Sequence, residues 1–339
     1  AVAFLEYWKR KSASLAHNWD SIDCVEEERP RPQFSARAPY LERNPITGHK
    51  EPAFPHRVRC LRMAAGYMTI ISMLMLVFIF MLAVIIYRII LVSMQSFQSP
   101  GLRPIASLIA TSSGAFVNLI LIMSVGRVYE KLAYRLTEWE MHRTQSEFDN
   151  QLAFKVFLFQ FCNFYSSIFY IAFFKGRFVG TPGNYGTFLG LRNEECSNYG
   201  CLMELTQQLA IIMIGKQVIN NAREMIWPRI QSWMHRKRTM IDHRNRRYTS
   251  WERDYRLIPY EGLFEEYLEM ILQFGFITIF VAAFPLAPLF ALLNNWFEIR
   301  LDAHKLVCHT RRPAPDRANN IGVWFPILTF IAHIAVISN

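Results

Sequence analysis

The sequence predicts an all-α, polytopic helical membrane protein, and three observations carry that reading. Apolar stretches of span length recur seven times, at about 63–93, 104–125, 152–174, 201–222, 266–284, 285–302 and 322–337. Basic residues fall in alternate loops: 29 Lys/Arg lie in 1–62, 127–151, 223–262 and 303–321, against four in 94–105 and 175–198. No alternation of polar and apolar residues suggests a β-barrel. The 339 residues are 52% hydrophobic and 14% aromatic, but the clustering is what decides the class.

The net charge of +10 is mainly a topology signal. Basic loops stay in the cytosol, where they also attract anionic lipid heads; a nucleic-acid patch would not alternate loop by loop. Of six cysteines, Cys196 and Cys201 alone fall in a predicted outer loop. A disulfide can persist there, with partners in this chain or beyond it left open. Cys24, Cys60 and Cys308 are predicted cytosolic and reduced, and no Cys/His grouping has zinc spacing.

Residues 1–62 read as a cytosolic connector following a preceding transmembrane helix. The opening AVAFLEYWKRK has no apolar core or cleavage site of a signal peptide after it. Both ends of the chain read as cut from a longer protein. The span 63–93 runs outward and carries Arg88 near its outer end, either snorkelling or lining an anion path. The span 104–125 returns inward with Ser107, Thr111, Ser112, Ser113, Gly114 and Asn118, suited to helix packing or to a hydrophilic wall. The charged segment 126–151 looks helical. The span 152–174 is aromatic, with Lys155, Gln160, Asn163 and Tyr165 in its inner half and Lys175 at its outer end. Glycines at 180, 183, 186 and 190 mark turns in the outer loop, since no Gly-Lys-Ser/Thr follows as a phosphate loop needs. The span 201–222 holds Glu204, Gln207, Gln208, Gly215, Lys216, Gln217 and Asn220, too polar to face lipid. Gly215 costs about 1 kcal/mol relative to Ala and marks a flexible point.

The stretch 265–305 is the most informative. Its apolar middle, Tyr267–Phe297, suits two spans that reverse at Phe284-Pro285-Leu286-Ala287-Pro288. Glu266 and Glu269 (i,i+3) precede it, and Glu298 and Asp302 (i,i+4) close it, so each pair shares one helix face. The reversal returns both acidic ends to one side of the membrane. Two carboxylates about 5 Å apart repel by roughly 3 kcal/mol at an effective dielectric of 20. Asn220 and Glu224 add oxygens at the same depth. Five carboxylates and one amide, about eleven oxygens, suit calcium, which takes 6–8 hard oxygens flexibly; zinc would bring His or Cys. Two Ca²⁺ would largely balance the formal −5. A water-exposed acidic rim and a proton relay are the other readings. No GxSxG, HExxH or Ser/His/Asp grouping suggests an enzyme.

The residues Glu266-Tyr267-Leu268-Glu269-Met270, Gln273-Phe274-Gly275-Phe276, FPLAPLFALLNN at 284–295 and Glu298-Ile299-Arg300-Leu301-Asp302-Ala303 resemble the anoctamin family. So do FFKGRFVG at 173–180, Glu195-Cys196, Gly200 to Leu205 and Gly215-Lys216-Gln217. The resemblance covers nearly the whole chain. It implies a homodimer of ten-helix subunits, each with its own pore, of which this chain holds the third to ninth helices; residues 63–339 are then the pore and calcium-binding domain. Carried over residue by residue, the calcium ligands fall on Asn220, Glu224, Glu266, Glu269, Glu298 and Asp302, with Asn294 as a helper and Gly215 as the hinge of the sensing helix. About two Ca²⁺ per subunit are implied. Pore candidates are Asn118, Tyr165, Ile168, Lys175 and Ile212, with Arg88 beside them. Gln160 departs from the lysine of chloride-selective members and puts strong anion selectivity in doubt. The implied activity is a calcium-activated chloride channel of the plasma membrane; the alternative is a calcium-activated phospholipid scramblase, whose partners are membrane lipids. Residues at about 123–160 are where scrambling members differ.

Overall fold

The computed structural model describes residues 2–21, 28–43, 48–93, 103–176, 180–181, 184–185, 187–188, 191–192, 196, 200–239, 249–255, 257, 259–260, 262–315, 318 and 320–339. The connector begins with α1 (Val2–Asn18) and α2 (Pro32–Arg37). The proline that opens α2 has its φ already set for a first helical turn. A hairpin of β1 (Tyr40–Arg43) and β2 (Lys50–Ala53) follows, with Tyr40 opposite Ala53.

Helices occupy all seven apolar stretches. α3 (His56–Ser93), α4 (Arg103–Trp139) and α6 (Cys201–Thr239) have 38, 37 and 39 residues. At 1.5 Å per residue each is about 55–58 Å long, well past a hydrocarbon core of about 30 Å. The limits expected at 125 and 222 thus mark where apolar composition stops, not where the helix stops. Glu130, Lys131 and Arg135 are good helix formers in water, and α4 continues through them. α5 (Gln145–Phe169) ends in a π-helical turn, Tyr170–Phe174. Two short antiparallel pairs follow, β3 (Gly180–Thr181) with β4 (Asn184–Tyr185), and β5 (Thr187–Phe188) with β6 (Leu191–Arg192). After α7 (Ser250–Tyr255) come α8 (Phe264–Ile279), α9 (Ala287–His304) with a π turn Lys305–His309, and α10 (Trp324–Ser338).

Among the described residues, His56–Ile90, Ser112–Trp139 and Gln145–Phe174 are long and apolar enough to cross a membrane. α3 exposes Met68, Ile71, Met75, Phe78 and Ile79, an apolar face that a bilayer would cover. α4 sits between α3, α5 and α6, while α8 packs on α10 and α5. Tyr129 stacks on Phe159 with ring centroids 3.8 Å apart. Tyr165 stacks on Phe276 at 4.6 Å and donates its hydroxyl to Leu272 O at 2.9 Å. Gly275 makes this possible, because a Cβ there would collide with the Tyr165 hydroxyl. The α4–α6 crossing depends on Gly215 in the same way: a Cβ would lie 2.6 Å from Leu119 Cδ2. α6 runs through Gly215 as unbroken helix.

Candidate functional site

The reversal between α8 and α9 spans Phe280 to Leu286, where Phe284 N donates to Phe280 O at 3.1 Å and Phe290 N to Leu286 O at 3.2 Å. The antiparallel return carries the end of α9 to the start of α8. One carboxylate oxygen each from Glu266, Glu298 and Asp302 then lies within 4.8 Å of the other two. Glu298 is 2% exposed and Glu269 9%, so charges here have little water to screen them. Asp302 Oδ1 is buried without a hydrogen-bond partner.

α6 closes the third side. Gln217 Nε2 donates to Glu269 Oε1 at 2.7 Å and Asn220 Nδ2 to Glu269 Oε2 at 2.9 Å. Asn294 Nδ2 donates to Glu298 Oε2 at 2.8 Å, and Asn221 Nδ2 to Asn294 Oδ1 at 3.3 Å. Gln273 Nε2 reaches Asn295 Oδ1 at 2.9 Å. On the open side, Lys305 Nζ lies 2.7 Å from Glu266 Oε1. The side chain of Glu224 lies outside the described residues; its backbone is one helical turn beyond Asn220 on α6.

This donor set fits a hard cation. Its oxygens come from carboxylates and amides, as calcium sites require, and the unpartnered Asp302 Oδ1 is an acceptor that a cation would satisfy. Asn220 would turn its amide to present Oδ1, an exchange of nearly isosteric ends. Beside the cluster, α6, α8 and α9 enclose a cleft of about 170 Å³ lined by Gln217, Asn221, Gln273 and Asn294 on its polar side and by Met213 and Phe290 on its apolar side.

The residues expected along the permeation path separate into three groups. Arg88 and Lys175 converge on Glu204: Arg88 Nη2 is 3.9 Å from Glu204 Oε2, and Lys175 forms a direct ion pair with the same oxygen. All three are buried. Gly114 leaves room for Arg88, whose Cγ would be 2.8 Å from an added Cβ. Asn118 donates to Ser167 Oγ at 2.9 Å and borders a small void with Arg88 and Gln208. Gln160 is separate: its Nε2 donates to Glu130 Oε1 at 2.9 Å. Tyr165, Ile168 and Ile212 are packed in the core between helices. Cys196 and Cys201 are joined as a disulfide. Gly176, at φ +80, tucks against both sulfurs, with a Cβ 2.9 Å from Cys196 Sγ.

The sequence does not single out Gln273 or Lys305 as site residues, and Gln217 stands in it as a polar position and part of the matching Gly215-Lys216-Gln217 without a site role. Gln217 precedes Asn220 by three, so helical spacing alone places both on one face. Nor does the sequence single out a buried cluster at the α4–α5 turn. There Lys155 and Glu140 form a direct ion pair, His142 Nε2 is 2.9 Å from Glu140 Oε2, and His142 Nδ1 is 3.4 Å from Glu147 Oε1. Arg59, at the start of α3, pairs with Glu147. Burial works against the charged form of His142, but Glu140 and Glu147 outweigh it and hold its pKa above the ordinary value.

The family model described as "Anoctamin: Calcium-activated chloride channel" matches residues 1–339. The chain is 55% identical to Anoctamin-7 of Homo sapiens over 347 residues. It is 47% identical to Anoctamin-4 and 48% identical to Anoctamin-3 of Mus musculus, over 348 and 347 residues. All of this chain is covered each time, and it spans 37%, 36% and 35% of those relatives' lengths.

Proposed function

The chain belongs to the anoctamin family, and from that premise we propose that it is the calcium-sensing and permeation part of a calcium-activated chloride channel. The family consists of multi-pass membrane proteins, calcium-regulated channels or scramblases. The observation that carries the proposal is the convergence of Glu266, Glu298 and Asp302 within 4.8 Å, tied to α6 by Asn220 and Glu269 at 2.9 Å.

Asn220, Glu224, Glu266, Glu269, Glu298 and Asp302 are the proposed ligands, for about two ions, with Asn294 orienting Glu298. Bound calcium would supply the positive charge that cancels the repulsion among the acids. The acids of α8 and α9 are on one hairpin; α6 meets them here through neutral amides. Strengthening that attachment pulls the inner end of α6 toward α8. Gly215, packed on Leu119, is where such a pull would alter the α4–α6 contact. Arg88 and Lys175 would hold anions at the outer end. We place the parent in the plasma membrane as a homodimer, by likeness to the channel-type members that its residues resemble.

The test is an inside-out patch from cells expressing the full-length parent, with cytosolic calcium stepped under a chloride gradient. A calcium-dependent current reversing near the chloride equilibrium potential is expected. A calcium-dependent current without anion preference would overturn the channel reading. One observation favours a second reading, phospholipid scrambling. Glu130 accepts its hydrogen bond from the neutral Gln160, with Lys216 and Arg223 near enough to act on its charge, so position 160 itself adds no positive charge to an anion path. Calcium-stimulated dithionite quenching of labelled lipid in vesicles holding the full-length parent would support it.

A further inference from the structure

The acidic site contains its own cation. Lys305 Nζ sits 2.7 Å from Glu266 Oε1, and Glu266 is one of the three acids whose oxygens lie within 4.8 Å of one another. Among the other acids, Glu269 accepts from the neutral Gln217 and Asn220 and Glu298 from Asn294, while the charge of Lys305 also acts on Asp302. We propose that Lys305 is an internal competitor for the cation site, an ammonium that holds Glu266 until a divalent ion displaces it, and so sets how much calcium the protein needs. The proposal rests on the reading of this cluster as a calcium site.

Charge repulsion sets the two cations against each other at Glu266. A calcium ion bonds carboxylate oxygen at about 2.3–2.6 Å. An ion and an ammonium sharing Oε1 would therefore be at most about 5 Å apart, three positive charges gathered about one carboxylate. The ammonium is the one that can leave. Its side chain is 30% exposed, against 21% for Glu266, and its four-carbon stem reaches water from a fixed Cα. The backbone does not need to follow. Lys305 N donates to Asp302 O and Leu301 O, and its carbonyl accepts from Thr310 N at 3.1 Å. Arg311, just beyond, is anchored to Leu257 O at 2.8 Å and lies 4.2 Å over the Tyr255 ring. Lys305 is thus a fixed post with a swinging charge, placed three residues after Asp302.

The ammonium offsets part of the repulsion among the acids. Removing it should leave the empty site less stable and the loaded site unchanged, so the free energy of binding becomes more negative. Part-exposed ion pairs are weak, so the expected shift is roughly three- to tenfold in the calcium midpoint.

The experiment uses purified full-length parent in lipid nanodiscs, comparing wild type with Lys305→Met, Lys305→Arg and Glu298→Gln. Calcium binding is read by isothermal titration and by the calcium-dependent rise in Tm. Lys305→Met should bind at roughly three- to tenfold lower calcium, melt lower without calcium, and gain more Tm on loading. Lys305→Arg should remain near wild type. If Lys305→Met proves unfolded, Lys305→Gln carries the same expectation. An unchanged calcium midpoint beside a lowered Tm would make Lys305 merely structural and overturn the proposal, as would weaker binding. A wild type that binds no calcium, or a Glu298→Gln variant that binds it as well as wild type, would instead sink the calcium-site reading beneath it.

Discussion

Asn220 of α6 donates its amide to Glu269 of α8 at 2.9 Å. With Gln217 on the same carboxylate and Asn221 on Asn294, this bond joins the most polar long helix to the acidic hairpin through neutral groups. A buried carboxylate that accepts two amide N–H bonds is satisfied but not neutralised. The contact is therefore one that a cation can replace at little cost, which is what a sensor needs and a purely structural bridge does not.

Glu266→Gln keeps the size of the side chain but removes one of the clustered charges. We expect the calcium midpoint of activation to rise by at least roughly tenfold, because affinity in oxygen sites follows ligand charge. The offset from losing the Lys305 pair is smaller, since that pair is part-exposed. Calcium steps on inside-out patches check this, and unchanged sensitivity would remove Glu266 from the ligand set.

Gly215→Ala should destabilise the protein despite Ala being the better helix former. The propensity gain is about 1 kcal/mol. The added Cβ would lie 2.6 Å from Leu119 Cδ2, and overpacking of that kind costs about 1–3 kcal/mol. Leu119→Ala in the same chain should recover part of the loss. Melting of the four-member cycle in detergent measures the coupling; additive effects would mean the two helices do not touch here.

The cluster at the α4–α5 turn gives a pH prediction. With its pKa raised by Glu140 and Glu147, His142 stabilises the folded state fully below its unfolded value of about 6.5, and that contribution is lost as pH rises through the folded value. The contribution of His142 to the Tm of the full-length parent should fall as pH rises above about 6.5, and His142→Gln should flatten that slope. Glu140, Glu147, Lys155 and Arg59 surround the imidazole, and a slope unaltered by the substitution would assign the pH dependence to other groups.

What was legible in the sequence follows from cost. Glu266, Glu298 and Asp302 stood out because charge is rare beside apolar helix, and the reversal at Pro285 and Pro288 forced them together. Asn220 was legible by depth along α6. Lys305 was not, because a basic residue in a basic loop is unremarkable until the π turn Lys305–His309 aims it back at Glu266. Tyr165 was expected along a path, yet its ring stacks on Phe276 and its hydroxyl bonds to Leu272 O. Periodicity places a residue on a face but not opposite a given neighbour, and here Gly275 on another helix decided the outcome. The ends of α4 and α6 escaped because polar residues continue a helix as well as apolar ones.

Gln160→Lys tests whether the α4–α5 wall controls selectivity. Gln160 is 5% exposed, donates to Glu130 at 2.9 Å and accepts from Asn163 Nδ2 at 3.4 Å. Gly126 leaves little space beside it, since a Cβ there would be 2.8 Å from Gln160 Nε2. A lysine is longer but unbranched, so its ammonium can follow the same groove to the Glu130 carboxylate. The pair would then gain one positive charge beside Lys216 and Arg223, which already act on Glu130, and the local potential would become more favourable to anions. Under a chloride gradient the reversal potential should move toward the chloride equilibrium value, with the calcium midpoint unchanged because Gln160 is outside the acidic cluster. If the reversal potential stays fixed while calcium-stimulated lipid quenching persists, the Glu130–Gln160 pair is a packing contact and selectivity is set elsewhere along the path.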